Sequence, residues 1–194
     1  MRVIAGTAKG RRLRSVRGQA VRPTADRVKE ALFSMLQSRF DLDGARVLDL
    51  FAGTGALGIE SLSRGAARCV FVESDRAART VLESNLTLCR LAERGRIIPV
   101  PVRRALEMLA GAREQFEGVL MDPPYGRGLA EAALEQLGTC EVVAAGGWVV
   151  VEHHVEDALA EAYGSLRLTA ARRYGKTALA LFSNSRMVEQ AATS

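Results

Sequence analysis

Metal and thiol chemistry have little to work with in this chain, whose 194 residues include three cysteines and two histidines. Cys69, Cys89 and Cys140 are widely spaced, form no CxxC pair and leave an odd thiol, so neither a disulfide framework nor a clustered metal site is expected. Unpaired thiols fit a reducing compartment, the cytoplasm. His153 and His154 are neighbours after Glu152 at the end of an extended run; they point to opposite faces, which speaks against a shared ion and leaves them a loop role. No apolar run approaches the roughly 20 residues needed to cross a bilayer. The opening MRVIAGTAKGRRL has no continuous apolar stretch after its charge, so it does not read as a secretory signal. There is no internal repeat and no linker, and the length predicts one domain.

What is present is an ordinary globular composition, 48% apolar and 25% charged, with a lopsided charge distribution. The net charge is +5, yet the first 30 residues hold nine lysines and arginines against Asp26 and Glu30. The remainder of the chain is slightly acidic. A basic N-terminal end fits a polyanion partner, and it equally fits a solvated arm.

VIAGTAKGRRLRSV reads as a small hairpin turning at Ala8-Lys9-Gly10. Pro23-Thr24 then opens a helix, with Thr24 as its cap and Val28, Ala31, Leu32, Met35 and Leu36 as its apolar stripe. Beyond it, strands are expected at 46–51, 69–73, 96–100, 118–122 and 148–152. Helices are expected near 56–64, 75–90, 103–111 and 128–138. Short β-rich runs alternating with helices call for an α/β fold, a Rossmann-like, mostly parallel sheet with helices on both faces. Trp148 starts a buried strand and belongs to the core. Two further runs, 166–174 and 177–182, join across Gly175-Lys176 as an antiparallel hairpin that brings the sheet to seven strands.

The stretch VLDLFAGTGALGIE, residues 47–60, carries a ligand signature. A strand ends near Asp49, and the chain turns through Phe51, Ala52, Gly53, Thr54 and Gly55 into a helix containing Gly58. Glycines at the carboxyl edge of a parallel sheet let the backbone approach a ligand closely. Read as a bare pattern, Gly53, Gly55 and Gly58 also satisfy the dinucleotide fingerprint. Two acids bear on the choice. Glu73, followed by Ser74, ends the next strand, where a carboxylate can take the ribose hydroxyls of either ligand. Asp49 puts negative potential beside the loop, which suits the ammonium and sulfonium of S-adenosylmethionine and repels a pyrophosphate.

At the tip of the fourth strand stand Asp122, Pro123, Pro124 and Tyr125. Neither proline has an N–H, so ladder and helix both stop and a rigid extended turn results. Such a turn can aim the Asp122 carboxylate and a backbone carbonyl into one cleft, with an aromatic ring behind. Two acceptors on an exocyclic base amine pull its nitrogen toward tetrahedral geometry and expose a lone pair otherwise delocalised into the ring. The carboxylate also stabilises the charge that develops on nitrogen, and Tyr125 can stack on a splayed-out base.

Together the Asp49–Gly55 pattern, Glu73 and the DPPY turn resemble the class I S-adenosylmethionine-dependent methyltransferases that modify amino groups. RVIAGTAKGRRL, RPTADRVKEALFSML and RRYGKTALALF resemble one subfamily, the RsmD-type bacterial 16S rRNA guanine-N2 methyltransferases, over nearly the whole chain. That resemblance implies a monomer without a metal, acting on the 2-amino group of guanine 966 in the 30S subunit or a late assembly intermediate. It makes Asp122, Pro123, Pro124 and Tyr125 the catalytic end. Asp49, Phe51, Ala52, Gly53, Thr54, Gly55, Gly58, Glu73 and Ser74 then surround the cofactor. Residues 1–22 become an RNA-binding hairpin extension, 23–183 the methyltransferase domain and 184–194 a frayed tail. Lys9, Arg11, Arg12, Arg14, Arg22 and Arg27 are the RNA-contact candidates, within a stretch reaching Lys29. Arg167, Arg172, Arg173 and Lys176 could extend that face or charge an edge strand. The chain departs from many relatives after its third strand, where Val102-Arg103-Arg104-Ala105 replaces an adenine-contacting acid or amide.

Three other readings remain at this point: an amino methyltransferase acting on adenine N6, cytosine N4 or a protein glutamine; a dinucleotide-dependent oxidoreductase, which leaves Asp49 and DPPY unexplained; and a non-enzymatic RNA-binding assembly factor.

Overall fold

A computed structural model describes residues 1–16 and 25–186. The expected Thr24 cap, Arg22 and most of the tail lie outside these residues. The helices are α1 (Ala25–Gln37), α2 (Ala56–Ser63), α3 (Arg76–Cys89), α4 (Val102–Gly111) and α5 (Leu129–Thr139). The strands are β1 (Arg46–Leu50), β2 (Arg68–Val72), β3 (Gly95–Ile98), β4 (Phe116–Met121), β5 (Val143–His154), β6 (Ala162–Tyr163), β7 (Leu166–Tyr174) and β8 (Thr177–Asn184). They form one sheet in the order β3-β2-β1-β4-β5-β8-β7-β6, parallel from β3 through β5 and antiparallel beyond. This is the expected Rossmann-like architecture, with one short strand more than the seven anticipated. Among the described residues no helix is long and apolar enough to cross a membrane.

Alternation along the strands divides the core into two layers. Val47, Phe71, Leu120, Trp148 and Val150 face one layer with α1, α2 and α3; Leu48, Val70, Val119, Val149 and Val151 face the other with α4 and α5. Trp148 sits inside β5 and not at its start, because β5 begins at Val143 and bulges opposite β4. Its indole lies over Gly118, where a Cβ would come within 2.1 Å of the ring. His153 and His154 are likewise the last residues of β5, held in its antiparallel ladder with β8, and not part of a loop. The sheet order reverses between β1 and β4, and α/β folds bind ligands at the carboxyl ends of strands at such a switch.

The N-terminal turn is antiparallel, with a single bridge between Arg2 and Arg12 and hydrogen bonds joining Val3 to Gly10 and Arg11. It packs onto the body of the protein. Val3, Ala8 and Leu13 are buried, and Gly6 lies so close to Ser63 that a Cβ there would overlap its carbonyl oxygen. The anchor is Glu60, fully buried on α2. Its carboxylate accepts from the backbone N–H groups of Ile4 and Ala5 at 2.8 and 3.0 Å, and pairs with Arg64 at 2.8 Å and Lys29 at 3.3 Å. Lys29 is therefore removed from the RNA-facing stretch: it is 2% exposed, and its ammonium also donates to the Arg2 carbonyl.

Candidate active site

A cleft of about 1220 Å³ opens over the carboxyl ends of β1, β2, β4 and β5. Of the expected residues it is lined by Asp49, Phe51, Ala52, Gly53, Thr54, Glu73, Ser74, Asp122 and Pro124. The cofactor-side and amine-side candidates thus share one cavity.

On the β1 side the chain leaves the strand through three alternate positions in left-handed backbone: Phe51, Gly53 and Gly55, with φ of 58°, 55° and 86°. For Phe51 that is a strained conformation, the kind that persists where a loop is held for a ligand. Gly55 caps α2 against Leu82, where a Cβ would lie 2.3 Å from the side chain. Gly58 serves packing instead. A Cβ there would lie 2.3 Å from the Phe71 ring, so this glycine lets α2 settle on β2. Glu73 braces the loop, accepting from Gly53 N–H at 2.8 Å and Asp75 N–H at 2.7 Å. A carboxylate offers about four acceptor positions, so this one can also serve a vicinal diol.

Asp49 lines the cleft from within the end of β1. It is 2% exposed and accepts from Gly58 N–H at 2.8 Å. Burial pushes its carboxyl up to about 8, and the nearby Asp122 and Glu73 add to the rise. Its hydrogen bond to Gly58 N–H secures the turn into α2, and burial disfavours the charged carboxylate.

On the β4 side, Asp122-Pro123-Pro124-Tyr125 follows the last strand residue, Met121, and turns toward α5. Asp122 is exposed, Pro123 buried and Tyr125 half-buried. The Tyr125 hydroxyl donates to Glu152 at 3.0 Å and lies 3.3 Å from the Thr177 hydroxyl, with its ring centroid 5.7 Å from that of His154. Burial raises the phenol above its usual range. Glu152 and Thr177 were not among the expected site residues. The signal for Glu152 was available, since it ends the apolar run Trp148–Val151 as Asp122 ends GVLM.

After β3 the cleft wall is Val100, Pro101, Val102 and Arg103. Arg103 and Arg104 both pair with Glu107, at 3.4 and 3.3 Å, and Arg103 and Glu107 line the cleft beside the apolar Val100, Pro101 and Val102. The basic candidates Lys9, Arg12, Arg14 and Arg27 are exposed and Arg11 half-exposed, whereas Arg22 lies outside the described residues. Arg14 is tied inward by Asn85, a buried α3 residue whose sequence context gives it no distinction. The Asn85 side chain accepts from Arg14 N–H at 2.8 Å and donates to the carbonyls of Arg14 at 3.1 Å and Thr54 at 2.9 Å.

Sheet order, glycine turn and strand-end acids together define a class I methyltransferase fold. A family model described as conserved hypothetical protein 95 matches residues 1–183, and the chain belongs to that family, the RsmD-type methyltransferases. It is 41% identical to YlbH of Bacillus subtilis over 94% of this chain and 98% of that protein. It is 35% identical to ribosomal RNA small subunit methyltransferase D of Escherichia coli over 94% and 89%. Among solved structures, the Escherichia coli protein YhhF superposes with a TM-score of 0.80 at 33% identity, over 95% of this chain and 97% of that one.

Proposed function

We propose that this protein methylates the 2-amino group of a guanine in small-subunit ribosomal RNA, using S-adenosylmethionine, in the cytoplasm. The observation that carries this reading is that Asp122 and Pro124 line the same cleft as Phe51–Thr54 and Glu73. Relatives named for methylation of small-subunit rRNA support the substrate class. Guanine 966 is the position the family likeness favours.

The residues fit the methyl donor. Glu73 would take its ribose hydroxyls, the Phe51–Gly55 turn and Ser74 its polar end, and Val100–Val102 its base. When bound, S-adenosylmethionine supplies an electrophilic methyl group on a positively charged sulfur. Asp122 and a carbonyl of the Pro-Pro turn accept the two N–H groups of the target amine and free its lone pair. Asp122 stabilises the positive charge that grows on nitrogen, then takes the surplus proton or passes it to water. Tyr125, its hydroxyl fixed by Glu152, offers its ring as a stacking surface. Lys9, Arg11, Arg12, Arg14 and Arg27 contact phosphates and set the register of the RNA on the cleft.

The test is transfer of labelled methyl groups to small ribosomal subunits from cells lacking the endogenous enzyme, followed by digestion to nucleosides. Label in N2-methylguanosine is expected. Label in another nucleoside, or none despite cofactor binding, contradicts the proposal.

A further inference from the structure

We propose that Glu152 reads the N1–H of the target guanine while Asp122 holds its 2-amino group, so that two neighbouring carboxylates select guanine over the other amino-bearing bases. This rests on the guanine-N2 reading above and supplies a reason for it.

The placement comes from the sheet. Met121 of β4 and Val151 of β5 are paired in parallel register, so Asp122 and Glu152 each follow the last paired residue of two adjacent strands. Both line the cleft. The position of Glu152 is fixed from two sides. Its backbone pairs with Leu179 in the antiparallel ladder to β8, and its Oε1 accepts from the Tyr125 hydroxyl at 3.0 Å, which in turn sits 3.3 Å from the Thr177 hydroxyl. The glycine turn and Glu73 lie on the far side of β4, over β1 and β2, so a base with its amine at Asp122 extends from there over β5.

The chemistry of the base edge does the selecting. An ionised carboxylate only accepts hydrogen bonds. Guanine presents two donors side by side, N1–H and the 2-amino group, and two carboxylates match them. Adenine and cytosine place a ring-nitrogen lone pair beside their amino group, and a carboxylate there meets lone pair against lone pair. A site built to accept a donor discriminates strongly against an analogue lacking it, because a polar group is then left mispaired.

The experiment compares small subunits reconstituted with 16S RNA carrying either guanine or 2-aminopurine at the methylated position. 2-Aminopurine keeps the 2-amino group and has an N1 lone pair in place of N1–H. The wild-type protein is expected to favour guanine in kcat/KM on the order of 100-fold. In Glu152→Gln, whose amide can donate to that lone pair, the preference narrows at least tenfold. Tyr125→Phe, which unlocks Glu152 without removing it, narrows the preference several-fold. A merely structural role for Glu152 lowers both substrates together and leaves the ratio unchanged. N2-methylguanosine formed with a ratio that neither variant shifts overturns this proposal alone; failure of the wild-type protein to form N2-methylguanosine overturns the guanine reading and this proposal with it.

Discussion

Glu60→Ala tests how the N-terminal segment is held. The carboxylate is fully buried and serves four partners: the N–H groups of Ile4 and Ala5, the Arg64 guanidinium and the Lys29 ammonium. Removing it leaves Lys29, itself 2% exposed, held through the Arg2 carbonyl without its buried counter-charge, and takes the acceptor from two backbone donors. Breaking a buried ion pair by deleting one partner costs about 3–5 kcal/mol, a large share of the roughly 5–15 kcal/mol that keeps a domain folded. A domain of this size loses about 2–4 °C of melting temperature per kcal/mol, so calorimetry should show a drop of about 10 °C. Adding Lys29→Met to Glu60→Ala should recover part of the loss, since no buried ammonium is then stranded. Limited proteolysis should also cut residues 1–16 before the rest of the chain. A drop below about 3 °C, or no recovery in the double variant, would refute this reasoning.

Two further outcomes follow from the cleft. Asp49 has its carboxyl raised from an ordinary 3.8 to about 8 by burial, so between those values the folded protein holds a proton that the unfolded chain gives up. That contribution to stability is full below about pH 4 and is lost as pH rises through about 8; Asp49→Asn should flatten this part of the melting-temperature profile, and an unchanged profile would contradict the assignment. Glu73→Ala should weaken S-adenosylmethionine binding by about 10- to 100-fold in titration calorimetry, through loss of charged hydrogen bonds and of the Gly53 brace; affinity within twofold of wild type would remove Glu73 from the cofactor site.

The fold was largely legible because β1, β2, β4 and the Trp148–Val151 part of β5 are short apolar runs that alternate between two core layers, each with an acid at or near its carboxyl end. The glycine turn and Asp122-Pro123-Pro124-Tyr125 were legible for a similar reason: each is a local pattern whose chemistry depends on its immediate neighbours. What escaped depends on distant partners. Lys29 carries a charge in an exposed-looking helix, and only its pairing with Glu60 on α2 explains its burial. The state of Asp49 is set by complete burial against Gly58, and a sequence names the acid without its surroundings. Glu152 acquires its position from the register of β4 with β5 and from Tyr125 across the cleft. The limits of β5 shifted because a bulge and an antiparallel partner extend it on both sides of the apolar run.

The most direct measurement is the transfer assay with Asp122→Ala beside the wild-type protein, read as labelled N2-methylguanosine from small ribosomal subunits, with cofactor affinity measured on the same samples. Transfer should fall by about 1000-fold, as for loss of a preorganised electrostatic group, with S-adenosylmethionine affinity within a few-fold of wild type. Near-full transfer by Asp122→Ala would contradict the central role given to this carboxylate.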